Sequence, residues 1–119
     1  MNADKFDLIV TIVNKNTSES ILKASQKAGA EGGTIVYGRG TGIRENKTLF
    51  GIPIEPEKEI ILTIVPQDIT NQVQEAIIRA GNLDQPGNGI LFVLELKNVA
   101  GICHLCLDDI GQSLQDSSE

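Results

Sequence analysis

Two apolar runs dominate the chain: Asp7–Val13 (DLIVTIV) and Glu59–Val65 (EIILTIV), each nearly continuous and rich in β-branched residues. Runs of this kind suit inner strands covered at least partly on both faces. After each run the spacing changes from strand-like to helical. Ile21, Leu22, Ala24, Ser25 and Ala28 mark one helical face, and Ile69, Val73, Ala76, Ile77 and Ala80 mark the equivalent one. Asn16, with Glu19 three residues on, reads as a capping box for the first helix, and Asp68 as the N-cap of the second. Gly29 and Gly81 are the expected C-terminal stops. A second strand closes each unit, at Gly33–Gly40 (GTIVYGRG) and Ile90–Leu96 (ILFVLEL).

The two units are copies. Asp7–Gly29 aligns without a gap on Glu59–Gly81, 52 positions on, with matches at Thr11/Thr63, Ile12/Ile64, Val13/Val65, Ala24/Ala76, Ala28/Ala80 and Gly29/Gly81. Two copies are too few for a solenoid, and two tandem β-α-β units predict an α+β, ferredoxin-like βαββαβ fold. The right-handed crossover rule puts both helices on one face of a four-stranded antiparallel sheet. The other face then keeps apolar side chains, from positions such as Ile9, Val36, Ile61 or Leu91, with nothing in the chain left to cover them. Such a patch predicts a homo-oligomer whose sheets face inward.

Two irregular stretches interrupt the duplication. Thr41–Glu57 (TGIRENKTLFGIPIEPE) is far longer than a hairpin needs and carries Gly42, Gly51, Pro53 and Pro56, which predicts a mobile excursion. Long loops on rigid scaffolds concentrate binding sites, and Phe50 and Ile52 are apolar residues that a solvated loop does not favour. The second stretch, Asn82–Gly89 (NLDQPGNG), brackets Asn88 with Gly87 and Gly89. A turn of this kind is commonly just a turn, but its N–H groups could also cradle phosphate.

Composition narrows the choice of function. The chain of 119 residues is 40% apolar, which fits one globular domain. Sixteen acidic against ten basic side chains give a net charge of −6, with no basic patch, no Trp, one Tyr and three Phe. Nucleic-acid binding by charge or by base stacking is therefore not expected. No apolar run spans a bilayer, and acidic Asp4 and Asp7 stand where a secretory leader would be basic, so a cytoplasmic protein without membrane insertion is expected. One histidine and no nucleophile–base pattern point away from an enzyme.

With these elements placed, the chain resembles the P-II signal transduction proteins, the trimeric nitrogen and carbon regulators. The likeness covers about residues 6–102 and rests on the element order, IILTIVPQDI before a helix ending AIIRAG, the turn PGNGILFV, and the position of the long loop. The resemblance implies a homotrimer with three inter-subunit clefts that bind ATP or ADP. The segments matching Thr41–Glu57, Leu83–Gly89 and the residues after Gly101 would be its T-, B- and C-loops, with the T-loop docking onto a membrane transporter or an enzyme.

Residue by residue, Thr34 matches an adenine contact and Gly40 the start of the T-loop. Lys58 matches a lysine at the loop base, and Gly87, Asn88 and Gly89 match a Gly-Asp-Gly turn. Arg44, Lys47, Phe50 and Ile52 fall in the partner-binding loop. The family's phosphate clamp is altered: Ile90, Gly101 and Cys103 stand at its basic positions. Losing three cations removes charge-assisted hydrogen bonds worth about 1.5–3 kcal/mol each. Tight ATP binding in the usual mode is therefore not expected; ADP, AMP or another adenylate held mostly by backbone N–H groups, or ATP held in another way, stays open as the ligand. The family's Mg²⁺-holding glutamine has no match at Thr41–Gly42, and the one tyrosine, Tyr37, lies on the preceding strand.

A separate reading starts at Cys103, His104 and Cys106 (ICHLC). Three soft or borderline donors in four residues suit Zn²⁺ or Cu⁺, and a Cys-x-x-Cys pair can cycle between dithiol and disulfide. That alternative is a metal-binding or redox-responsive trimer resembling the copper-tolerance CutA proteins, which share the fold; an incidental pair is a third possibility. Residues 1–106 are read as the domain. Residues 107–119, with four of the sixteen acids, form a flexible acidic tail.

Overall fold

The computed structural model describes residues 5–41 and 47–101. Strand β1 (Phe6–Asn14) leads into helix α1 (Ser18–Lys27) and strand β2 (Thr34–Arg39). Two short strands follow, β3 (Lys47–Leu49) and β4 (Ile52–Ile54), then β5 (Glu57–Pro66), a 3₁₀ turn (Gln67–Ile69), α2 (Thr70–Gly81) and β6 (Gly89–Leu96). The main sheet has the order β2-β5-β1-β6, and every neighbouring pair in it is antiparallel. This is the expected βαββαβ arrangement, with the first strand of each repeat paired at the centre.

Alternation along the central strands decides what is core. Ile9, Thr11 and Val13 share one face with Ile61, Thr63 and Val65, and all six are fully buried. Helix α1 covers this face with Ser18, Ile21 and Ser25, and α2 covers it with Thr70, Val73, Ile77 and Gly81. The packed cluster contains Ile9, Val13, Ile21, Ala30, Ile61, Val65, Val73 and Ile77. Burying one such aliphatic side chain stabilises by about 1.5–3 kcal/mol, so these positions carry the fold.

The opposite face holds Leu8, Val10 and Ile12 of β1, Ile60, Leu62 and Ile64 of β5, Val36 of β2, and Ile90, Phe92 and Leu94 of β6. Ile64, Val36, Ile90, Phe92 and Leu94 are all at least 40% exposed. The apolar open face exists, but its membership differs from the sequence reading. Of the four positions named, Val36 lies on it, whereas Ile9 and Ile61 belong to the core and Leu91 packs against that core.

Helix ends differ from the expected ones too. Asn16 is not a cap: its φ is +72°, and the N-cap position of α1 is Thr17, which makes no side-chain capping bond. Asp68 lies in the 3₁₀ turn, and α2 starts two residues later. Gly29 does terminate α1 with φ +120°, but the left-handed residue after α2 is Asn82, at φ +50°, not Gly81. The excursion between β2 and β5 contains a ladder of its own. β3 pairs with β4 through Lys47↔Ile54, Thr48↔Pro53 and Leu49↔Ile52, around a two-residue Phe50–Gly51 turn with both φ values positive. That conformation twists a tight hairpin in the favoured sense.

Candidate functional site at the insert end of the sheet

Of the six residues matched to a nucleotide site, all but Thr34 lie at one end of the sheet. Across it run two rows: Gly89, Val13, Glu59 and Tyr37, then Asn14, Lys58 and Gly38. The base of the insert continues from there, because Gly40 N–H donates to the Pro56 carbonyl at 3.2 Å, one step beyond the β2–β5 ladder. The insert base, between β2 and β5, and the glycine turn, ahead of β6, therefore lie at the same end of the sheet with β1 between them.

Glycine is required at the turn. Gly89 has φ +144°, and a Cβ there would meet the Ile12 carbonyl oxygen at 2.5 Å and Val13 Cγ1 at 2.9 Å. Gly87 has φ +88° with open space around it. Asn88 braces the turn: its Nδ2 donates to the Asn82 carbonyl at 2.9 Å and its backbone N–H to the Gln85 carbonyl at 3.4 Å. Lys58 is buried, at 8% exposure, and its Nζ donates to Asn14 Oδ1 at 2.7 Å. Asn14 Nδ2 in turn donates to the Gly87 carbonyl at 3.0 Å.

Beside Lys58 lies a groove of about 340 Å³ lined by Tyr37, Gly38 and Arg39 of β2, Glu57, Lys58 and Glu59 of β5, and Lys15. Lys15 and Glu57 form an exposed ion pair at 3.1 Å, which contributes little to stability at such exposure. Glu59 has another task. Its Oε1 accepts the backbone N–H groups of Thr17 at 3.1 Å and Ser18 at 2.9 Å, at the start of α1. Burial would raise its pKa, but the hydrogen bonds from Ser18, Asn16 and Thr17 outweigh burial and hold the carboxyl below its usual value.

Asp7, the repeat counterpart of Glu59, sits at the start of the other helix and is held there through side chains. It accepts from Thr70 Oγ1 at 2.8 Å and from Gln67 Nε2 at 3.0 Å. The acid heading each central strand thus holds the start of the other repeat's helix. Sequence reasoning missed Asn14, Asp7 and Glu59. The available signal was the 52-residue repeat, which places an acid at the head of both apolar runs.

Gly40, Lys58, Gly87, Asn88 and Gly89 all lie at the insert end of the sheet, with Gly40 and the glycine turn on its opposite edges. Thr34 opens β2 opposite Leu62, at the far end of the strand from Gly40, and is exposed. Phe50 and Ile52, 93% and 65% exposed, stand at the hairpin turn. Lys47 opens β3, with its side chain outside the described residues, as is Arg44. Ile90 is 55% exposed on the open face. Cys103, His104, Cys106 and the acidic tail also lie outside the described residues. Among the described residues no group of three His, Cys, Asp or Glu could hold a metal, and no helix is long and apolar enough to cross a membrane.

The family model for nitrogen regulatory protein P-II matches residues 6–103. No curated protein sequence matches the chain. Among solved structures, the Bacillus subtilis GlnK–ATP complex is similar at a TM-score of 0.65 and 22% identity, covering 83% of this chain and 87% of that one. Arabidopsis thaliana PII bound to citrate gives 0.60 and 25%, over 76% and 77%. A Bacillus cereus protein related to NIF3 gives 0.62 and 24%, but this chain spans only 27% of its length. None of these likenesses supports the copper-tolerance alternative.

Proposed function

Because the chain belongs to the P-II family, we propose that it is a non-enzymatic, cytoplasmic regulatory protein acting as a homotrimer. It senses a small effector at the insert end of the sheet and reports occupancy through the insert. One observation carries this reading: Gly40 and Lys58 at the loop base and the Gly87–Gly89 turn occupy a single end of one rigid sheet. A ligand contacting that end bears on the loop without any rearrangement of the core.

The trimer is supported by the open apolar face, whose exposed side chains on three strands need a cover that the described residues of one chain do not supply. Association through that face would also bring Thr34, which lies on it, toward a neighbouring subunit. The effector is an adenine nucleotide, as in the GlnK–ATP complex, with ADP or AMP favoured over ATP. The residue after the glycine turn is Ile90, which gives no charge to a terminal phosphate. Partner binding falls to the hairpin, where Phe50 and Ile52 present apolar surface. The partner, a membrane transporter or an enzyme, is proposed from the family alone.

Isothermal titration of the protein with ATP, ADP and AMP tests this reading. Binding of ADP or AMP at one per subunit, tighter than ATP, is expected. Absence of heat with all three would refute it.

A further inference from the structure

Asn14 closes the first strand, where an asparagine ordinarily reads as the opening of a turn. Its side chain instead spans two elements that come from opposite sides of β1. Lys58, on β5, ends in an ammonium group, which only donates hydrogen bonds; Gly87, ahead of β6, offers a carbonyl, which only accepts. These two groups cannot bond to each other. An amide carries one acceptor and one donor on the same planar group, and Asn14 uses both, at 2.7 Å to Lys58 Nζ and 3.0 Å to the Gly87 oxygen. Aspartate would keep the first bond and lose the second, and leucine would lose both.

We propose that Asn14 is a positioning residue that couples the lysine at the base of the insert to the glycine turn, so that a displacement at either is felt at the other. The inference deepens the regulatory reading by naming how its two halves are connected. Lys58 is buried and held on a central strand, so its ammonium is a fixed post. Gly87, exposed and in open space at φ +88°, can change its peptide orientation cheaply. The bond through Asn14 fixes that orientation, and with it the Asn88 N–H of the same peptide, which closes the turn on the Gln85 carbonyl. A ligand that draws on Lys58 also alters the acceptor strength of the Asn14 amide and the hold on the turn.

The test needs no ligand, which keeps it separate from the nucleotide titration. Backbone amide shifts of Gly87, Asn88 and Gly89 are recorded by NMR for the full chain, with and without Lys58→Met, in wild-type, Asn14→Leu and Asn14→Ala backgrounds. Leu keeps the branched shape and Ala avoids overpacking, so the failure of one variant to fold leaves the other. Lys58→Met is expected to move the three turn resonances in the wild type and to leave them within error in either Asn14 background. A loss of stability alone would follow from any structural role; loss of the cross-talk would not. Equal shifts in all backgrounds, or no shift in the wild type, would overturn the proposal. Failure of all nucleotides to bind would overturn the effector reading and leave the coupling intact.

Discussion

Replacing Glu59 removes an acceptor that α1 does not supply for itself. Thr17 makes no side-chain cap, and the Thr17 and Ser18 N–H groups both point at Glu59 Oε1, at 3.1 and 2.9 Å. A side-chain cap contributes about 0.5–2 kcal/mol. Here the acceptor is charged and the site buried, at 6% exposure, and hydrogen bonds to charged groups are worth about 1.5–3 kcal/mol. Glu59→Ala should therefore cost about 2–4 kcal/mol, the two bonds being only partly additive and some water entering the gap. Glu59→Gln keeps one carbonyl oxygen at the same reach and loses only the charge, for about 1–2 kcal/mol.

The pH dependence separates this cap from a packing effect. The folded-state pKa of Glu59 lies below its ordinary value of 4.5. Its contribution is thus complete above 4.5 and is lost as pH falls through the folded value. The stability difference between wild type and Glu59→Gln should be constant near neutrality and shrink as pH drops below about 4.5. Urea unfolding at fixed protein concentration, followed by circular dichroism at several pH values, measures it. A difference that stays unchanged through that window, or a Glu59→Ala cost under about 0.5 kcal/mol, would refute the capping argument.

Two more substitutions probe the same scaffold. Thr11 and Thr63 are repeat counterparts, fully buried, and their hydroxyls find no partner among the described residues. Valine keeps the shape and removes the unpaired polar atom, so Thr11→Val and Thr63→Val should be neutral or stabilising by up to about 1–2 kcal/mol each in urea unfolding. A cost above about 1 kcal/mol would mean that the hydroxyls are satisfied after all. Gly89→Ala should be severe, because the new methyl meets the Ile12 carbonyl oxygen at 2.5 Å as well as an unfavourable φ. A loss of about 3 kcal/mol or more is expected, and a thermal midpoint within error of wild type would contradict the close approach.

Much of the fold was legible because its signals are local. Strand and helix periodicities are written within about ten residues, and the 52-residue repeat fixed how many units there were. The glycine turn was legible for the same reason, since Gly87 and Gly89 sit where φ is positive. The failures share a different cause. Asn16 and Glu19 fit a capping box in sequence, yet the acceptor that holds α1 comes from 42 residues away in the case of Thr17. Gly81 fits a C-terminal stop, yet it is glycine where helices meet: a Cβ there would stand 3.2 Å from Ile21 Cδ1 and 3.1 Å from Leu83 Cδ2. Asn82 takes the left-handed position instead. The insert hairpin gave no sequence signal because its turn is Phe-Gly rather than Asn-Gly, with a bulky residue at φ +52°.

The duplication explains why the misses cluster as they do. In the antiparallel pairing of β1 with β5, Asp7 lies opposite Val65 and Glu59 opposite Val13, an approximate two-fold relation between the repeats. Under that relation an interaction made by one repeat's strand with the other repeat's helix must occur twice. It does: Glu59 receives Ser18, and Asp7 receives Thr70, the residue 52 positions after Ser18. Each half therefore takes a carboxylate at its helix start from the other, Glu59 accepting backbone N–H groups of α1 and Asp7 the Thr70 side-chain hydroxyl of α2. A reading that treats each copy as a self-contained strand-helix-strand unit looks for the cap in the wrong half. The same crossing builds the candidate site, since Asn14 of the first copy sits opposite Lys58 of the second. Cross-strand register, rather than either repeat alone, brings these polar groups to one end of the sheet.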